Sequence, residues 1–185
     1  LGAATVTDDV EGEVISRGDV SAITDSQIEA ELVKMCGTIM QRPSSVSAVK
    51  VDGERAYDRV RAGEAVELAA REVTISQLDI TVIRRLENAI EVDIDVTCSA
   101  GTFIRAIARD CGDALAVGGH LNALRRTRVA GFGLDKAISL TSLKAGEFAT
   151  LPLVDVARTT FSARELALEE VNELSFGRPL SANPD

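Results

Sequence analysis

The chain has 185 residues, 45% of them apolar and 26% charged, with three cysteines and a net charge of −9 at neutral pH. This balance suits one substantial soluble core with part of a second, and no apolar run approaches the roughly 20 residues that span a bilayer. Cys36, Cys98 and Cys111 are odd in number and form no C-x-x-C pair, so they are expected to be buried thiols of a reducing, cytoplasmic environment.

Residues 2–7 predict a weak strand, and Thr7-Asp-Asp-Val-Glu-Gly12 predicts a turn with capping carboxylates before a second strand over 13–16. Thr24-Asp-Ser-Gln27 has the form of a capping box. It opens a helix that points Ile28, Leu32, Val33 and Cys36 inward and ends at Gly37. Short strands over 38–41 and 47–51 flank a Pro43-Ser-Ser turn, and 54–62 reads as a short helix after the Asp52-Gly53 turn. A long strand over 72–86 pairs with one over 89–99 through Glu87-Asn88. In the second, Ile90, Val92, Ile94 and Val96 alternate with Glu91, Asp93, Asp95 and Thr97, which predicts one buried and one wet face.

Gly101 breaks that strand, and Ile104, Ile107, Ala108, Cys111 and Leu115 then recur at helical spacing, predicting a helix over 102–116. Arg105 falls in its first turn, where exposed amides favour anions and disfavour a cation. A partner carboxylate or phosphate explains it better than helix stability does. After the Gly118-Gly119 loop come strands over 123–129 and 132–134 and a turn of helix over 141–146. From Thr159 the texture changes: Ser162-Ala-Arg-Glu165 reads as a second capping box, with a helix to about residue 176. The order implies an α+β protein with a mostly antiparallel sheet flanked by helices. Residues 1–150 are expected to form one domain and 159–185 the opening of another.

The acidity is uneven. Residues 42–61 carry +2 and residues 98–134 carry +3, the latter from Arg105, Arg109, Arg125, Arg126 and Arg128 against Asp110 and Asp113. Brought together, these segments would attract a polyanion, although charge alone favours two solvated faces of mixed sign. The chain holds no G-x-S-x-G elbow, H-E-x-x-H, Walker A or dinucleotide fingerprint. His120 is the only histidine, which excludes histidine-based metal cages and disfavours a Ser-His-acid triad. It reads as a structural or loop residue. No metal and no cofactor is expected.

Four segments carry a resemblance. Leu1-Gly-Ala-Ala-Thr-Val-Thr-Asp-Asp-Val-Glu-Gly12, Gln41-Arg-Pro-Ser-Ser-Val-Ser-Ala-Val-Lys50-Val-Asp-Gly-Glu-Arg-Ala-Tyr57, Cys98-Ser-Ala-Gly-Thr-Phe-Ile-Arg105 and Gly119-His120 through Leu124-Arg-Arg-Thr-Arg-Val129 run in that order. They resemble the R-L-G-x-x-T-x-T-x-D-x-x-G, Q-x-P-P-x-[YV]-S-A-x-K-x-x-G-x-x-x-Y, C-S-x-G-T-Y-I-R and G-x-H-x-x-x-L-R-R motifs of the TruB family of tRNA pseudouridine synthases, in its actinobacterial form.

The resemblance implies a pseudouridine synthase core followed by the start of a small, PUA-like RNA-binding domain, in a cytoplasmic monomer. The implied partner is the T-stem-loop of tRNA, whose uridine 55 is isomerised without a cofactor. The C1′–N1 bond breaks, the base rotates and rejoins through C5, after the nucleotide has left its stack. Arg105 matches the arginine that pairs with the catalytic aspartate, holding that carboxylate oriented and ionised. Leu124 and Phe103 match residues that pack on the flipped base, and Lys50 and Tyr57 match positions near the cleft. Arg125 and Arg126, with Arg109 and Arg128, are expected to meet T-loop phosphates.

Two departures stand out. Phe103 replaces the family's usual tyrosine, removing a hydroxyl that could assist proton loss from C5. The G-x-L-D-P-x-A-[TS]-G motif with the catalytic aspartate, and the base-stacking tyrosine, precede the R-L-G segment in the family and are not in this chain. Asp8 and Asp9 belong to a different motif and do not replace that aspartate. The chain is therefore expected to be an internal fragment, inactive alone. The alternative is a non-catalytic RNA-binding or tRNA-folding module.

Overall fold

A computed structural model describes residues 1–44, 50–51, 54–55 and 68–181. The chain divides into two units, Leu1–Leu124 and Arg125–Asp185. No helix among the described residues is long and apolar enough to cross a membrane.

The first unit opens with β1 (Ala3–Thr5) and β2 (Val14–Arg17), an antiparallel pair closed by the acidic turn between them. Helix α1 (Asp25–Val33) begins at the expected capping box: the Thr24 hydroxyl accepts from the Gln27 N–H, and the Gln27 side chain accepts from the Thr24 N–H. Ile28 and Leu32 are buried. Val33 and Cys36, expected to point inward, are exposed. The helix stops at Val33 with Lys34 as its C-cap, so the stripe ends one turn early and Gly37 starts a strand.

That strand, β3 (Gly37–Gln41), is the first of a three-stranded antiparallel sheet in the order β3-β6-β7. Between its members, β4 (Lys50–Val51) and β5 (Glu54–Arg55) form a small ribbon. Glu54 and Arg55 are thus in a strand where a helix was expected; the rest of that expected helix, and residues 47–49 of the expected strand, lie outside the described residues. Two backbone shifts shape β6 (Arg71–Arg85) against β7 (Ile90–Cys98), one between Ile75 and Gln77 and one between Ile80 and Val82. Each inserts one residue and moves the buried face by one position. Val73 and Ile75 therefore point inward with Leu78 and Ile80, then Ile83, whereas Val82 is exposed. The opposite face of the hairpin carries charge, and Arg84 forks onto Asp93 while its Nε reaches Glu91.

Helix α2 (Ile104–Ala114) packs Ile107 and Cys111 against Ile28 and Leu32 of α1 and against Ile75 and Ile90 of the sheet. This is the buried core. Of the three cysteines only Cys111 is buried, and burial pushes its thiol up to about 11. Cys36 departs from the expectation because it follows the end of α1 and is exposed, whereas Cys98, closing β7, is half-buried at the margin of the core.

After α2 the chain returns along its own helix. A Cβ on Gly112 would lie 2.1 Å from the Gly119 nitrogen, and one on Gly119 would lie 2.1 Å from the Ala108 carbonyl oxygen. Only residues without side chains permit this approach.

The second unit begins with Arg128–Val129 (β8) paired to Phe132–Gly133 (β9), then a 3₁₀ turn over Leu134–Lys136. Only the end of the strand expected over 123–129 forms. Helices α3 (Leu140–Ala145), α4 (Leu153–Thr160) and α5 (Leu168–Ser175) follow. Helix α4 was not expected. Ser162-Ala-Arg-Glu165 is not the start of α5; that helix begins after Ala167, whose N–H donates to the Glu170 carboxylate.

A Gly119→Ala variant is expected to lose about 1–3 kcal/mol of stability, because the added methyl must displace backbone rather than a flexible side chain. Urea unfolding checks this through a lower midpoint at unchanged slope.

Candidate functional site

Four pieces of the first unit converge at the start of α2. The first is the turn after β1. Asp8 adopts a left-handed conformation with φ of 58°, a region that aspartate tolerates better than most residues. The Thr7 hydroxyl and the Glu11 N–H both donate to Asp9 Oδ1, at 2.6 and 3.1 Å. These are the capping carboxylate contacts that the turn predicts.

The second piece is α2 itself. Its N-cap, Phe103, has no side-chain cap. Instead, the Gln41 side chain at the end of β3 grips the Phe103 backbone twice, accepting from its N–H at 2.8 Å and donating to its carbonyl at 3.1 Å. A strand end thereby fixes the entry of the helix, and Gln41 is buried.

From that start Arg105 reaches back to the turn. Its Nη1 donates to Asp9 Oδ2 at 2.7 Å and to the Thr7 carbonyl at 3.1 Å. Nε and Nη2 donate to none of the described residues, and 32% of the side chain is exposed. The guanidinium is therefore anchored at one corner and open along one edge. Burial opposes ionisation of Asp9, but the Thr7 hydroxyl, the Glu11 N–H and the Arg105 cation outweigh it and hold the carboxyl below the usual carboxylate range.

One helical turn further on, Arg109 is enclosed. Its Nη1 donates to Asp8 Oδ2 at 3.1 Å, its Nη2 to the Arg42 carbonyl at 2.8 Å, and its Nε to Asp110 Oδ1 at 2.8 Å. Burial raises the Asp110 carboxyl, against the pull of Arg109.

The third piece is the segment after β3, where the Ser44 hydroxyl donates to the Thr7 carbonyl at 3.3 Å. The fourth is the Gly118–Leu121 loop. The Leu121 N–H donates to the Asp8 carbonyl and the Val10 N–H to the Leu121 carbonyl, both at 2.9 Å, in a parallel bridge. His120 places Nδ1 2.9 Å from the Ala3 carbonyl, in keeping with a structural loop histidine.

Phe103 is half-buried beside Arg105 in sequence, and Leu124, at the end of this unit, is 57% exposed. Arg125, Arg126 and Arg128 are exposed in the second unit. Lys50 lies in β4, and Tyr57 lies outside the described residues. The residues that sequence reasoning left without a role here are Thr7, Asp8, Asp9, Gln41 and Ser44. Two adjacent acids on a turn and two arginines four apart on a helix were the available signal.

Comparison with known proteins gives a consistent picture. Residues 1–104 match the family model described as TruB family pseudouridylate synthase, N-terminal domain. Residues 105–150 match that of the tRNA pseudouridylate synthase B C-terminal domain. The chain is 51% identical over 184 residues to the tRNA pseudouridine synthase B of an Arthrobacter species, covering 98% of this chain and 60% of that one. It is 51% identical over 182 residues to the protein of the same name from Mycobacteroides abscessus, covering 98% and 61%. It thus spans about 60% of the length of these curated relatives. A solved Cbf5-Nop10-Gar1 complex holds a chain 25% identical, with a TM-score of 0.48, covering 68% of this chain and 32% of that one.

The Asp9 charge makes a testable contribution to stability. A carboxyl lowered by folding stabilises above its unfolded value and loses that contribution as pH falls through the folded one. Asp9→Asn is therefore expected to be less stable at neutral pH by about 1–3 kcal/mol, with the gap closing on acidification below about pH 4. Urea unfolding across a pH series measures both.

Proposed function

Since the chain belongs to the TruB family of pseudouridylate synthases, we propose that it forms part of an enzyme that isomerises uridine 55 of the tRNA T-loop to pseudouridine. The observation that carries this reading is the open edge of Arg105. Nη1 is held by Asp9 and Thr7, while Nε and Nη2 face no acceptor among the described residues. A guanidinium so placed can take a second carboxylate in a two-pronged pair, which orients that acid and keeps it ionised.

In this reading the second carboxylate is the catalytic aspartate of the family, supplied from outside residues 1–185, and the chain alone does not turn over. The aspartate assists cleavage of the C1′–N1 bond; the freed base rotates, C5 bonds to C1′, and the C5 proton is lost while N1, no longer bonded to the ribose, gains one. No cofactor is required. Phe103 offers a ring face to the base without a hydroxyl, so it packs and does not accept the proton. Leu124 supports the flipped base, and Lys50 and Tyr57 belong to the cleft wall.

Arg125, Arg126 and Arg128 meet T-loop phosphates, whose contacts position the RNA without reading its bases. Their exposure suits that task. Residues 1–150 then supply the catalytic part and 159–185 begin an RNA-binding domain, in a cytoplasmic monomer.

The full-length protein is expected to form pseudouridine at that position in a T-stem-loop RNA. Arg105→Ala is expected to lower kcat by about 10²–10³-fold, and Arg105→Lys to restore little, because an ammonium has no fork. Affinity for the RNA is expected to fall steeply with salt. Tight binding without turnover in the full-length protein would favour a non-catalytic RNA-binding module, and ordinary activity in Arg105→Ala would remove the role given to Arg105.

A further inference from the structure

We propose that Asp8 and Arg109 are a positioning pair for Arg105, fastening the Thr7–Asp9 turn to α2 so that Asp9 meets the guanidinium, and that Arg109 contacts no RNA phosphate. Arg105 and Arg109 are four residues apart and share one face of the helix. Asp8 and Asp9 are adjacent, and in an extended chain adjacent side chains point to opposite sides. The left-handed turn at Asp8 cancels that alternation and lets both carboxylates face α2. A non-glycine residue held there carries a backbone cost. It persists where surrounding contacts over-determine it, and here Arg109 on one side and Leu121 on the other supply them.

The two arginines differ in what they leave available. Each of the three guanidinium nitrogens of Arg109 already has a protein acceptor, among Asp8, Asp110 and the Arg42 carbonyl. Only 19% of its side chain and 12% of that of Asp8 are exposed. Three of its five N–H groups are engaged, and a phosphate that took the group facing Asp8 would leave a mostly buried carboxylate unpaired. Arg125, Arg126 and Arg128 face no such obstacle. Arg109 also ties the turn to a third segment, because the Arg42 carbonyl lies one residue after Gln41, which holds the Phe103 backbone. The pair thus connects the turn, the helix and the end of β3.

The kinetic arm of the test rests on the proposed function; a second arm does not. In the full-length protein, Arg109→Gln and Asp8→Asn are compared singly and together, asparagine being chosen because it tolerates the left-handed backbone. Each single variant is expected to lower kcat on T-stem-loop RNA about tenfold, with KM and the salt dependence of RNA binding unchanged. The double variant is expected to be no worse than the singles, as for two members of one unit. Arg109→Lys, whose donors all sit on one nitrogen and cannot span acceptors placed around a planar guanidinium, is expected to rescue only partly.

Independently of activity, the titration of the Asp9 carboxyl, followed by carbon NMR, is expected to shift upward in Arg109→Gln toward the ordinary carboxylate range. A higher KM with unchanged kcat, together with a salt slope reduced by about one, would overturn the proposal in favour of a phosphate contact. Additive losses, or an Asp9 titration unmoved in both variants, would overturn it too. If the wild-type protein leaves T-loop uridine unchanged, the functional reading fails and the Asp9 titration still decides the pairing.

Discussion

The ion pair between Arg105 and Asp9 is the contact around which the first unit is arranged. A guanidinium at the start of a helix faces the positive end of the helix dipole, so on its own it is poorly placed. It is tolerable because a carboxylate sits opposite, and that carboxylate is held ionised by a hydroxyl, a backbone N–H and the guanidinium itself. Each participant comes from a different part of the chain. The turn after β1 gives the acid, the strand β3 sets the helix entry through Gln41, and the loop after α2 grips the turn from its other side. Lose one, and the remaining contacts hold their groups in the wrong relation.

Much of this could be read from residue order, and the reasons are local. The Thr24–Gln27 box is a self-contained hydrogen-bonding pattern, so it forms as the sequence implies. The hairpin of β6 and β7 was visible in its alternation, yet the two bulges in β6 were not, since the residues inserted there, Ser76 and Thr81, have no register partner and instead donate their hydroxyls to carbonyls of β7. Cys36 misled because helical spacing continues through it while the helix ends at Val33, and Val33, still helical, lies on the exposed side of the last turn. Helix α4 lacks a polar N-cap, so only Pro152 and the acidic Asp155 in its first turn mark its start.

The site was half legible. Arg105 stood out through its conflict with the helix dipole, a tension that asks for a partner. The partner was not identifiable, because Asp9 is 96 residues away and its turn explains its carboxylate equally well as a cap. Arg109 looked like one more cation in a basic segment. Its enclosure by three acceptors is a tertiary fact, and it separates Arg109 from the exposed Arg125, Arg126 and Arg128. Local charge density does not distinguish a cation that braces the protein from one that faces outward.

The meeting of Gly112 and Gly119 has a consequence for how the unit tolerates change. Where helix and returning loop touch main chain to main chain, their separation is set by backbone van der Waals contact and by the hydrogen bonds that the Val117 and Gly118 N–H groups donate to the Gly112 carbonyl. Side-chain rotamers take no direct part in it. The start of the loop that continues into His120 and Leu121 is therefore indexed to the backbone of the helix that bears Arg105 and not to any side chain on it.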